Sequence, residues 1–274
     1  MFPINSKTLI WTVVIMAVIV LTGCASIETQ AVRERFIKQT LYAPPFYLTA
    51  YHKLSGSSDT LVVYIEGDGY AWVSRIVPSD DPTPRHPLAF FLATQDKSPN
   101  VLYLARPGQF LAAGAPAVDQ AYWTSKRYSE EVIQSMNSAI NEIKRSSGAN
   151  KISLIGYSGG AAVAVLVAAL RNDVTALRTV AGNLAPDVFS QEHHLSQLFG
   201  SLNPVTVAPT INAIPQRHFV GQKDRIVTKQ VTEAFLDAEG DDSRQTMTEV
   251  YGADHTHGWK EHWQKLLLIP LHSN

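Results

Sequence analysis

The 274 residues contain a single cysteine, Cys24, so no disulfide can close within the chain. An excess of charge of either sign is missing as well. Lys and Arg total 23 against 24 for Asp and Glu, the formal net charge is -1, and neither sign forms a long run. A basic stripe that would neutralise nucleic-acid phosphates is therefore absent, as is a contiguous polybasic segment for anionic lipid. The nine histidines include no H-E-x-x-H. The close pairs His193 with His194 and His255 with His257 lack an obvious third ligand, so no metal and no other cofactor is expected. No internal repeat or low-complexity tract occurs. With 45% hydrophobic and 17% charged residues, the composition excludes extended disorder and suits one globular domain with a large core, or two small ones.

The one long apolar run lies at the start. Lys7 precedes Leu9 to Leu21, interrupted only by Thr12, and the run is too short for a comfortable membrane-spanning helix. A positive n-region, an apolar stretch of this length and small residues after it make a secretory signal peptide. Leu21-Thr22-Gly23-Cys24 resembles the lipobox of bacterial lipoproteins. That resemblance implies lipidation of Cys24, which would also remove the odd free thiol from an exported chain. The expected division is a signal peptide over 1–23, a lipidated polar tether over 24–43 ended by Pro44-Pro45, and a folded body over 44–274. The expected place is the cell envelope. Ala25 stands where Asp would signal retention at the inner membrane, which favours the outer membrane in a Gram-negative source.

Beyond Pro45, β-type runs alternate with helical patterns. Strands are expected at Phe46–Lys53, Leu61–Glu66, Val101–Ala105, Lys151–Gly156, Leu177–Ala181, Arg217–Val220 and Thr246–Tyr251. Helices are expected at Pro87–Asp96, about Ala121–Arg145, Gly160–Arg171, Thr228–Ala238 and Trp259–Leu268. Val132, Met136, Ile140 and Ile143 recur at helical spacing, and Trp259, Trp263, Leu266 and Leu267 form one apolar face. Strand then helix, repeated, predicts an α/β fold with a mainly parallel sheet covered on both faces. Sites in such sheets form at the carboxyl ends of the strands.

At one such end stands Gly156-Tyr157-Ser158-Gly159-Gly160, a G-x-S-x-G pentapeptide between a β-rich run and a run of small residues. A nucleophile elbow needs glycine neighbours, because the serine sits on a strained turn against the next helix. Here the chain resembles the α/β-hydrolase superfamily, over nearly all its length after the tether. The resemblance implies a serine nucleophile, Ser158, followed in chain order by an acid and a histidine. Gly221-Gln222-Lys223-Asp224 resembles the acid loop and singles out Asp224. Tyr251-Gly252-Ala253-Asp254-His255 resembles the histidine loop and favours His255, with His257 as competitor. Asp254-His255 with Trp259 is also similar to a group of bacterial lipoprotein serine hydrolases.

The resemblance further implies an oxyanion hole from the Gly159 N–H and from the loop Glu66-Gly67-Asp68-Gly69, where Glu66 replaces the usual histidine. Asp68 is expected to donate its N–H with its side chain turned away. Tyr157, Gly69 and Arg106 are candidates to contact substrate, although for Arg106 a pairing with Asp68 or Glu66 is the favoured expectation. Asn183–Gln216, with Phe189, Leu195, Leu198, Phe199 and Leu202, is the one stretch suited to a short cap. The expected protein is a monomer that hydrolyses a small acyl substrate, an ester in preference to an amide or thioester. A non-catalytic envelope-binding lipoprotein is the reading of a different class.

Overall fold

The computed structural model describes residues 26–240 and 247–271; Cys24 and the expected signal peptide lie outside them. The strands are β1 (Ile37–Ala43), β2 (Phe46–Leu54), β3 (Thr60–Ile65), β4 (Asn100–Leu104), β5 (Lys151–Tyr157), β6 (Val174–Val180), β7 (Gln216–Gly221) and β8 (Met247–Val250). They form one eight-stranded sheet in the order β1-β2-β4-β3-β5-β6-β7-β8. Only β2 runs against its neighbours β1 and β4; every pair from β4 to β8 is parallel.

Helices cover both faces. On one lie α1 (Ile27–Arg33), α2 (Leu88–Gln95) and α8 (Trp259–Leu267), joined to the sheet by Phe36, Tyr51, Tyr64, Phe90, Tyr103, Phe219, Trp259 and Trp263. On the other lie α3 (Glu130–Ser147) and α4 (Gly159–Ala168). The stripe Val132, Met136, Ile140 and Ile143 of α3 packs here as its spacing predicts. All ten residues of α4 are buried, and its alanines and glycines allow a close approach to the sheet. The short helices α5 (Pro186–Glu192) and α6 (Ala208–Ile211), with α7 (Lys229–Glu239), complete the chain.

Within the described part of the tether expected over 24–43, residues 26–43, a linker is not what forms. Residues 27–33 are helix α1, and 37–43 are edge strand β1, paired with β2 from Ile37↔His52 to Ala43↔Phe46. Pro44-Pro45 makes the turn between them and so does not close a linker. The strand was hard to read because an edge strand is paired on one side only. Only Leu41 and Ala43 of its residues are buried, which leaves too few apolar positions for a period of two.

Trp263 is fully buried, donates its Nε1–H to Tyr64 Oη at 3.2 Å and packs edge-on against Tyr64 and Phe219. Trp263→Ala should cost about 3–5 kcal/mol in urea unfolding. Leu268→Ala, at a side chain 81% exposed, should stay within about 0.5 kcal/mol of the parent.

Candidate active site

The last residue of β5 is Tyr157, and α4 starts at Gly159, so a single residue, Ser158, makes the turn. Its φ is 51°, a left-handed conformation that a side-chain-bearing residue adopts only under constraint. The constraint is steric. A Cβ on Gly156 would lie 2.4 Å from Ala161 Cα, and one on Gly160 would lie 2.3 Å from the Ile65 carbonyl oxygen. The Ser158 N–H donates to Val180 O and its carbonyl accepts from the Asn183 N–H, which ties the turn to β6 and the loop after it.

Asp224 follows β7 and His255 follows β8. Asp224 Oδ1 accepts the N–H groups of Ile226 and Val227, at 2.8 and 2.9 Å. Its Oδ2 faces His255 Nδ1 at 2.9 Å, and His255 Nε2 lies 3.0 Å from Ser158 Oγ. An acceptor on Nδ1 puts the imidazole proton there and leaves Nε2 free to accept from the Ser158 hydroxyl. The histidine loop is braced from below. Trp259 Nε1–H donates to Asp254 O and His255 O, the Tyr157 hydroxyl also donates to His255 O, and Asp254 Oδ1 accepts the N–H of Thr256 and of His257. The competitor His257 has a side chain 83% exposed and pairs with Asp254, away from Ser158. His218 is buried against Phe235 and bonded to Thr179; burial, helped by Arg217, pushes it down to about 3, so it stays neutral.

Asp68 departs from expectation. Its side chain turns toward the site, because a Cβ on Gly159 would lie 2.1 Å from Asp68 Oδ1. The carboxylate is held there by Arg106 at 3.3 Å and by Arg127 at 2.7 Å. Burial alone would raise this carboxyl, but the two guanidinium groups, Arg127 foremost, hold it below the ordinary value. Arg106, 4% exposed, donates through Nη1 to Asp68 and through Nη2 to the Arg127 carbonyl, and it does not line the pocket at Ser158. It is thus a buried partner of Asp68 and does not face substrate. Arg127 had no local signal in the sequence, since it sits in an irregular stretch before α3 and meets Asp68 only in space.

A pocket of about 270 Å³ opens at Ser158. Tyr157 and Gly69 line it as expected, with Glu66, Asp68, Arg85 and His255. Its walls come from the loop between β3 and α2, and Asn183–Gln216 supplies none of its lining residues. Among the described residues no group of three His, Cys, Asp or Glu could hold a metal ion.

Glu66, 1% exposed, accepts the N–H of Gly67 at 3.0 Å and of Ala89 at 3.5 Å, at the first turn of α2. Burial pushes its carboxyl up to about 7 despite these donors. The folded protein therefore holds a proton that the unfolded chain releases near 4.5, and stability falls as pH rises through that window. Glu66→Gln should remove this slope, and the stability difference between variant and parent should grow by roughly 3 kcal/mol from pH 4.5 to 7 in urea titrations.

Three solved structures show the same fold at low identity. An α-β serine hydrolase homologue from Coxiella burnetii is 16% identical with a TM-score of 0.57, over 85% of this chain and 95% of that one. An esterase from Pyrococcus furiosus is 13% identical with a TM-score of 0.60, over 85% and 90%. An acylaminoacyl peptidase from Pyrococcus horikoshii is 12% identical with a TM-score of 0.61, over 85% of this chain and 40% of that one. No curated protein matches the sequence. The family model described as serine hydrolase (FSH1) matches residues 92–257, a span that holds Ser158, Asp224 and His255. With more than half its length inside that match and the sheet of an α/β-hydrolase around it, the chain belongs to the serine hydrolase (FSH1) family.

Proposed function

We propose that this serine hydrolase is a carboxylic ester hydrolase of the cell envelope, working through Ser158, His255 and Asp224 and held to its membrane by a lipidated Cys24. The observation that carries the catalytic part is the unbroken relay from Asp224 Oδ2 through both ring nitrogens of His255 to Ser158 Oγ.

In this reading His255 Nε2 takes the hydroxyl proton as Ser158 Oγ attacks the ester carbonyl carbon. The proton passes to the departing alcohol, leaving an acyl group on Ser158. Water, deprotonated by His255, then attacks the acyl carbon and the acid is released. Asp224 holds the imidazole in one tautomer and stabilises its charged form. Donors for the oxyanion are the Gly159 N–H, at the start of α4 where the helix leaves it without an acceptor, and the Asp68 N–H. Gly67 is not available, because its N–H serves Glu66.

The Asp68 carboxylate beside Gly159 would oppose an oxyanion if it stood alone. Paired with Arg106 and Arg127 it belongs to a cluster with one net positive charge. Arg127→Gln should therefore lower kcat by about tenfold to a hundredfold with little change in KM, and Arg127→Lys should recover most of it. Steady-state rates on one ester would read this.

A pocket of about 270 Å³ lies below the usual range for ligand sites, roughly 300–1,000 Å³, and suits a short acyl chain. A fluorophosphonate should label the wild type and not Ser158→Ala. Across p-nitrophenyl esters kcat/KM should peak at acetyl to butyryl. Equal labelling of both proteins would refute the nucleophile, while faster turnover of p-nitroanilides than of the esters would move the enzyme to the peptidases. The envelope address, and the outer membrane in a Gram-negative source, rest on the Leu21–Cys24 motif and on Ala25; no helix among the described residues is long and apolar enough to cross a membrane.

A further inference from the structure

With no polar tether, α1 begins only three residues after Cys24, which an extended chain spans in roughly 10 Å. The helix is docked on the folded body. Ile27 and Ala31 are buried, Glu28 accepts from Lys38 and from the Tyr51 hydroxyl, and Gln30 donates to Thr94 of α2. A bilayer holding acyl chains on Cys24 must therefore lie against the face that carries α1.

That face has the composition of a membrane contact. Val32 is 79% exposed. On the same side of the β1–β2 ladder, four rungs from the Lys38↔Tyr51 pair beside Glu28, the exposed rings of Tyr42 and Tyr47 pack at a tilt with centroids 4.8 Å apart. Tyrosine is favoured at the headgroup level of bilayers. On the other flank of α1 is a groove of about 650 Å³ lined by Arg33, Lys53, Lys97 and Lys260. Its carboxylates are already engaged: Glu34 pairs with Arg33, and Asp96 accepts from the Tyr64 hydroxyl and the Ser98 N–H. None of the three lysines has a carboxylate at ion-pair distance among the described residues. The Lys53 and Lys260 ammonium groups rest over the Phe36 and Phe91 rings, at 5.3 and 3.5 Å, and Lys53 also donates to the Asp96 carbonyl at 3.5 Å, so neither charge is neutralised by these contacts. The sequence contains no polybasic run because these cations come from four separate segments.

We propose that the face bearing α1, the Tyr42–Tyr47 pair and this groove is the surface on which the anchored enzyme lies against an anionic phospholipid bilayer, with a headgroup phosphate seated among Lys53, Lys97 and Lys260. The proposal rests on the anchor reading given above and adds an orientation to it. Helix α2 links the two sites, since Arg85 and His86 of the pocket precede it and Thr94 and Gln95 line the groove at its far end.

The test is an amine footprint of the full chain reconstituted in vesicles of phosphatidylcholine alone or mixed with phosphatidylglycerol, using a membrane-impermeant acylating reagent read by mass spectrometry. Labelling of Lys53, Lys97 and Lys260 should fall at least several-fold in the mixed vesicles and recover in high salt. The exposed Lys223 and Lys229, near the opposite edge of the sheet, should be unchanged. Equal labelling in both vesicles overturns the proposal. So does protection by inorganic phosphate in phosphatidylcholine vesicles equal to that given by phosphatidylglycerol, which would make the groove a site for soluble anions. The intact mass of the same preparation reports on Cys24 separately: an acylated chain without protection loses the surface alone, and protection of a chain with unmodified Cys24 loses the anchor alone.

Discussion

Everything at the site depends on how closely α4 approaches the sheet. The backbone of Gly160 lies so near the carbonyl of Ile65, and that of Gly156 so near Ala161, that neither position has room for a Cβ. The chain can pass from β5 to α4 in one residue only if that residue takes a left-handed conformation, and Ser158 takes it. The strain is offset by burial of the whole of α4, a helix of small side chains packed against the sheet. In return the hydroxyl stands clear of the sheet at the carboxyl ends of the strands, where the loops after β7 and β8 bring Asp224 and His255 to it.

Charge at the site follows from what is buried beside it. Glu66 and Asp68 stand two residues apart in one loop and end in opposite states. Glu66 meets only uncharged donors, among them the N–H groups of Gly67 and Ala89, and burial wins, so its carboxyl is pushed up to about 7. Asp68 meets two guanidinium groups, which outweigh its burial and keep it ionised. A carboxylate next to the Gly159 N–H is compatible with the proposed chemistry because those same arginines leave the cluster positive.

Much of this was legible in local signals. The strands from β2 onward and helices α2, α4, α7 and α8 appear within a few residues of where apolar runs and helical spacing place them, and the order Ser158, Asp224, His255 follows from three loop motifs. His257 lies only two residues from His255 in the sequence. The turn that Asp254 closes with the N–H groups of Thr256 and His257 sends the two imidazoles to different places.

What the sequence determined by itself is the part of the protein encoded in short stretches: a strand, a G-x-S-x-G turn and a small-residue helix. What only the tertiary structure decided is the part that depends on residues far apart in the chain. Asp68 meets Arg127 across 59 positions, and the groove cations come from α1, β2, the segment before β4 and α8. The edge strand β1 is visible only through its pairing with β2. Electrostatic and edge contacts of this kind leave no periodic mark, because they need one partner at the right place in space and no regular spacing along the chain.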